Sequence, residues 1–314
     1  MAAEAQTVSW EPWQHLVGVV DVGGPRSDGS LVVMAAGRLW LVAPATGAMT
    51  PFARGDDGYS GSVDGEPYLA VAQDLAVASA GCSFRQDDVY ILDLTSPPGI
   101  ARVDPAGHAS RAATIPAVQT LNGIAFDTTG RFDHRLLVAG SIEQREMLFA
   151  LDCLGGLTVV TDSAPPMEGG MQVAPAGFGA YGGDLIAADE NGGQVWAIEP
   201  DGGARVVIVP NLPTGGDTGV ESVGFVPAGT PSAYLADRGT PNNPFPGTDS
   251  ILRLTPQALA SAGVQEGDLL VATEGGGTTV AIRCAQTCTA STIAIGPAGG
   301  HTGHIEGRIT LTTP

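Results

Sequence analysis

Lysine is missing from all 314 residues, and the 14 basic side chains are arginines. Without that amine the chain can form neither a Schiff base nor a Walker-type phosphate loop. A GC-rich coding bias accounts for the absence most simply. Positive charge is scarce altogether: 33 acidic residues against 14 basic ones leave a net charge of −19. Such a surface repels phosphate backbones and anionic bilayers, which excludes nucleic acid and membranes as partners and leaves a small molecule. No apolar run approaches the roughly 20 residues needed to cross a bilayer as a helix. The opening segment, MAAEAQTVSW, has neither the basic start nor the apolar stretch of a secretion signal, so the expected compartment is the cytoplasm. Aromatic side chains make up only 5%, which leaves the core to Val, Leu, Ile and Ala. Cysteines number four. Cys284 and Cys288, in CAQTC, stand across a short hairpin turn, close enough for a disulfide. Cys82 and Cys153 complete the set, and no second Cys or His pair lies at zinc-ribbon spacing.

Glycine and proline are abundant instead, at 45 and 23 residues. They are scattered between short apolar runs, which fits many tight turns and excludes a collagen-like repeat. GSLVVMAAGRLWLVAPATGAMTPFAR reads as three strands joined by turns. HRLLVAGSIEQREMLFALDCLGGLTVVT and GGDLIAADENGGQVWAIEPDGGARVVIVP repeat that layout, and DDVYILDLTSPPGIARVDP reads as the last two strands of a further unit. A repeated unit of roughly 40–50 residues made only of strands predicts an all-β fold, a β-propeller of four-stranded antiparallel blades. Six blades fill the length, with five or seven as alternatives. The chain, 1–314, is then one domain and a monomer, its ring closed by N- and C-terminal strands. Beyond residue 250 two parses stand. In one, EGDLLVATEGGGTTVAI is the middle hairpin of a blade and HIEGRITL an inner strand. In the other, LLVATEG is an outer strand and a last blade begins at Thr278. TPQALASAGVQEG predicts one or two helical turns between strands.

Each unit carries an acidic or amide residue just before or at its first apolar strand: Glu66 in DGEPYLAVA, Asn122 in TLNGIAFD, Glu168 in PPMEGGMQVAP and Glu221 in GVESVGFVP. First strands line the central channel of a propeller, so side chains at one end of several of them converge on the axis. Three carboxylates and an amide would repel one another there unless a cation neutralises them. All-oxygen ligands suit a hard divalent cation, Ca²⁺ first, with Mg²⁺ or Mn²⁺ as alternatives. The glycines after Glu168 let a strand begin in a crowded channel. Asp189, Glu190 and Asp237 at strand ends read as turn-capping side chains, Arg131, Asp133 and His134 as a solvated loop. Trp10, Trp13, Trp40 and Trp196 read as packing between blades.

LNGIAFDTTGRFDHRLLVAGS and MEGGMQVAPAGFGAYGGDLIAADENGGQVWAIEPDG resemble strand starts of the senescence-marker-protein/gluconolactonase/regucalcin-like superfamily of six-bladed propellers. The resemblance covers about a quarter of the chain. It implies a channel cation held by Glu66, Asn122 and Glu168, with Glu221 as a further ligand or a residue supporting the ligands from behind, and metal-dependent hydrolysis of a lactone or related ester. Glu168 stands where the family has a shorter Asp. A cation would polarise the carbonyl, and Glu168 or Glu221 would act as general base. Arg238 or Arg308 is expected to hold an anionic substrate. HTGHIEGR adds His301, His304 and Glu306 as a second group able to bind metal or, through His304, to supply a base. Two other classes remain: a binding propeller with a structural cation, and a propeller lyase or cyclase of secondary metabolism.

Overall fold

The strand-forming runs fold as the turn chemistry dictates, and a computed structural model describes residues 6–63 and 65–313. β1 (Val8–His15) is an outer strand. The first blade follows as β2 (Val19–Gly23), β3 (Leu31–Ala35), β4 (Arg38–Val42) and β5 (Met49–Phe52). In the second, β6 (Leu69–Val71) is innermost, a small hairpin of β7 (Leu75–Val77) and β8 (Cys82–Phe84) is inserted, and β9 (Val89–Asp93), β10 (Gly99–Val103) and β11 (Ala109–Thr114) complete the sheet. β9 and β10 are therefore the middle pair of this blade, not its last two strands, because a further run, ASRAAT, pairs outside them. The third blade is β12 (Thr120–Phe126), β13 (Leu136–Ile142), β14 (Arg145–Leu151) and β15 (Leu157–Ala164). The fourth is β16 (Met171–Val173), β17 (Leu185–Asp189), β18 (Gln194–Ile198) and β19 (Ala204–Ile208).

The remaining strands form one eight-stranded sheet made of two four-stranded lobes. β20 (Val220–Phe225) is the inner strand of the fifth blade. The chain then leaves it for β21 (Ser232–Asp237) and β22 (Ser250–Leu254) of the sixth. A short helix, α1 (Pro256–Ser261), follows; Thr255 caps it by accepting from the Ala258 amide, and Pro256 opens the first turn. β23 (Leu269–Thr273), β24 (Thr279–Cys284) and β25 (Cys288–Pro297) return to complete the fifth blade, and β26 (Ile305–Thr312) is the inner strand of the sixth. EGDLLVATEGGGTTVAI is thus a middle hairpin, and the parse that begins a blade at Thr278 is excluded by the pairing of Leu269–Ala272 with Thr279–Ile282. β1 pairs antiparallel with β22 and parallel with β25, which fuses the lobes. Trp10 is wholly buried at that seam, its Nε1 donating to Thr279 Oγ1 at 2.8 Å.

β2, β6, β12, β16, β20 and β26 each lie beside the next, and β26 lies beside β2, so six inner strands close the ring. Second strands such as LVVMA, LIAAD and LLVAT are buried along their full length, because neighbouring blades cover both faces. Outer strands such as LTVVTDSA are largely exposed. No helix among the described residues is long and apolar enough to cross a membrane.

Candidate metal centre

The ring carries the polar inner-strand residues to one end of the axis. Glu221 and Glu306 are the second residues of β20 and β26, and Glu66 and Glu168 sit in the segments leading into β6 and β16. With Glu190, Asp217 and Glu274 they line a cavity of about 210 Å³, seven carboxylates among the described residues. Glu190 and Glu274 follow directly on β17 and β23, equivalent second strands. Asp189 does cap its turn, accepting from the Gly192 amide, but Glu190 is turned into the cavity rather than into turn capping.

Close approach of backbones makes this crowding workable. Gly169 and Gly170 donate their amides to the carbonyls of Asn122 and Glu221, at 3.0 and 3.1 Å. Gly169 has φ +67°, and a Cβ there would lie 1.8 Å from Glu221 Oε1. A Cβ on Gly170 would meet the Val223 amide nitrogen at 2.7 Å. The MEGGM run therefore needs both glycines to bring β16 beside β20.

Tyr68 Oη stands among three carboxylates, 2.9 Å from Glu306 Oε2, 3.0 Å from Glu221 Oε1 and 3.2 Å from Glu66 Oε2. A phenol has one proton to donate, so it satisfies one of these oxygens at a time. Arg238 Nη1 lies 3.0 Å from both Glu66 Oε1 and Glu306 Oε1. It is thus already the counter-charge of two glutamates rather than a free arm for an anionic substrate. Arg308 is in the channel as well, but its Nη2 donates to the Ile124 carbonyl and its amide to Asp21, away from the carboxylate cavity. His304 Nε2 is 3.1 Å from Glu274 Oε1 and 3.4 Å from Glu306 Oε1. His301 is exposed on the preceding loop, so the structure does not join it to His304.

Burial, reinforced by Glu306 and Glu168, pushes the Glu66 carboxyl up to about 8. Glu168 rises to about 7, through burial first and then Glu190, Glu306 and Asp217. Burial and the charges of Glu306 and Glu168 raise Glu221 well above the ordinary range. Glu221 is 2% exposed, and its Oε2 has no hydrogen-bond partner among the described residues. An oxygen-rich set with an orphaned buried carboxylate oxygen fits a hard divalent cation.

Asn122 stands apart from this set. Its Nδ2 donates to both oxygens of Glu146 at 3.1 Å and more weakly to Ser141, in an adjoining cavity of about 270 Å³. Burial lifts the Glu146 carboxyl to about 8 against the pull of that amide. Glu168 and Glu190 line both cavities and so form the wall between them. Sequence reading missed Tyr68, Glu190, Glu274 and Asp217. The position-for-position match of Glu274 with Glu190 in two blade hairpins was the available signal.

No family model matches the chain, and no curated protein matches it. Solved structures similar to it are β-propellers. A structural-genomics protein of unknown function from Bacteroides thetaiotaomicron shares 12% identity over 97% of this chain and 69% of its own, with a TM-score of 0.52. A putative TolB from Agrobacterium tumefaciens shares 12% over 96% and 93%, at 0.49. Virginiamycin B lyase from Staphylococcus aureus shares 11% over 90% and 88%, at 0.45. At these identities the likeness is one of architecture and assigns no activity.

Proposed function

We propose that the chain is a divalent-cation-dependent hydrolase of a lactone or related ester, of the gluconolactonase-like kind. The observation that carries this reading is Glu221 Oε2, a buried and unpartnered carboxylate oxygen inside a ring of acidic side chains from several blades. Glu66, Glu168, Glu221 and Glu306 would hold the ion, with Ca²⁺ the first choice and Mg²⁺ or Mn²⁺ next. When bound, it supplies Lewis acidity toward a carbonyl oxygen. The remaining work falls to the chain. Arg238 offsets Glu66 and Glu306, and Tyr68 shares its proton among three glutamates. Glu168, which lines both cavities, would be the general base toward a water nucleophile through the carboxylate oxygen not used on the ion. The side cavity, with Asn122, Ser141 and Asn191 in its lining, offers hydrogen bonds to a neutral polar substrate. Its carboxylates disfavour an anionic one. The four cysteines form two disulfides, Cys82–Cys153 and Cys284–Cys288, which favours an oxidising compartment.

The test is turnover of a panel of neutral lactones and aryl esters with and without chelator, with products weighed by mass spectrometry. Cation-dependent gain of one water supports hydrolysis. Cation-dependent product without added water supports the lyase or cyclase class instead, and binding without turnover supports a binding propeller.

A further inference from the structure

We infer that the channel mouth holds a second cation beside the first, a transition-metal ion bound by His304, Glu274 and Asp217. One ligand atom from each of these three lies within 4.8 Å of the other two. The group differs from the oxygen-only set around Tyr68 because it brings an imidazole. Imidazole suits zinc, cobalt and related ions, whereas calcium favours oxygen throughout.

The histidine is held in place by its backbone. Its amide donates to Asp237 Oδ1 at 2.8 Å, and its carbonyl accepts from the Arg238 amide at 2.8 Å. The next amide, Ile305, donates to the Glu274 carbonyl at 2.9 Å, which locks the two ligand-bearing segments together. His304 is 3% exposed, and the nitrogen that faces Glu274 is Nε2, which also lies 3.4 Å from Glu306 Oε1. One orphan atom marks the place: Glu190, which borders Glu274 in the same cavity, is 6% exposed with Oε1 unpartnered among the described residues. Asp217 lies on an exposed loop and accepts from Asn243 Nδ2 at 2.9 Å. Two buried ligands and one at the solvent edge leave room for a fourth, exchangeable ligand, as open metal sites do.

Charge balance points the same way. Of the seven described carboxylates in the cavity, Arg238 and one divalent ion offset three. In the metal-free chain protons relieve part of what remains, and a second divalent ion would take over part of that load.

This inference stands apart from the hydrolase reading, and one experiment separates them. Metal-stripped wild type, His304→Gln and Asp217→Asn are titrated with Co²⁺ alone, followed by its visible d–d absorption, and with Ca²⁺ alone, followed by calorimetry. The expected result is one Co²⁺ site in the wild type that both variants weaken more than about 10-fold, the lower end of what losing a supporting group costs a metal site. Ca²⁺ binding stays within a factor of about two in Asp217→Asn. Co²⁺ binding untouched by His304→Gln, or no Co²⁺ binding at all, overturns the second site. Loss of Ca²⁺ in parallel with Co²⁺ in Asp217→Asn, an exposed change that leaves the fold intact, overturns it too, since the ion is then shared. Co²⁺ binding that depends on His304 in a wild type that binds no Ca²⁺ upholds this site while removing the first.

Discussion

Arg238 is the counter-charge that two of the site's glutamates share. Its side chain is 20% exposed and one Nη1 serves two glutamates. Removing one partner of such a buried pair leaves uncompensated charge, a loss of about 3–5 kcal/mol. Arg238→Ala in metal-free protein should therefore lower stability by roughly 3 kcal/mol in urea unfolding, with part restored by a saturating divalent ion. A loss under about 1 kcal/mol, the scale of an exposed pair, would show that the arginine is not the counter-charge described. The glutamates also fix a pH dependence. Glu66 and Glu168 have folded-state values of about 8 and 7 against an ordinary 4.5, so between those limits the folded chain binds more protons than the unfolded one. Their stabilisation is complete below about 4.5 and is lost as pH rises through 7 and 8. Chelated protein should melt higher at pH 5 than at pH 9, and saturating Ca²⁺ should flatten the difference. A melting temperature that rises toward pH 9 without metal would contradict the packing of carboxylates around Tyr68.

At the scale of elements, the inserted hairpin β7–β8 is crosslinked to the next blade. Cys82 on β8 is joined to Cys153, just after β14 of the next blade, across a separation of 71 residues. Asp133 reinforces the contact by accepting from the amides of Ala78 and Ser79, so this side chain docks the hairpin rather than being merely solvated. Chain-entropy arguments give a crosslink of that span about 4 kcal/mol, and one spanning four residues about 2 kcal/mol. Cys82→Ser with Cys153→Ser should thus lower the unfolding midpoint more than Cys284→Ser with Cys288→Ser. The reverse order would mean that the hairpin is held by its other contacts. Blade hairpins were legible in the sequence because Gly, Asn and Asp mark turns locally, and CAQTC was legible because its closure is local too. Cys82–Cys153 was not, because nothing local says which blade the insertion leans on. The same applies to Asp88–Arg102, Asp184–Arg205 and Asp268–Arg283. These pair a buried Asp just before a second strand with an arginine of the third or fourth strand in three blades, and only the sheet register reveals them.

For the whole molecule, the exchange between the last two blades was beyond sequence reading. A strand pair such as β21–β22 carries the same alternating pattern whichever inner strand it joins, and β26, the partner it takes, comes some 50 residues later in the chain. Convergence of Glu66, Glu168 and Glu221 was legible because position at the start of an inner strand is a property of the repeat. The displacement of Asn122 toward Glu146 was not, because it follows from one side-chain hydrogen bond. The seam that closes the ring makes its own prediction. Trp10→Ala should cost about 3–5 kcal/mol, as expected for deleting a fully buried indole. A cost below about 1 kcal/mol in chemical denaturation would contradict the β1 docking described. The most direct test of the central claim is metal content and calorimetric Ca²⁺ titration of the wild type beside Glu221→Gln. The account predicts at least one equivalent of divalent ion in the wild type, lost from the variant while its fold is retained. A wild type that binds no divalent ion, or a variant that binds it equally well, would contradict the carboxylate ring as a metal centre.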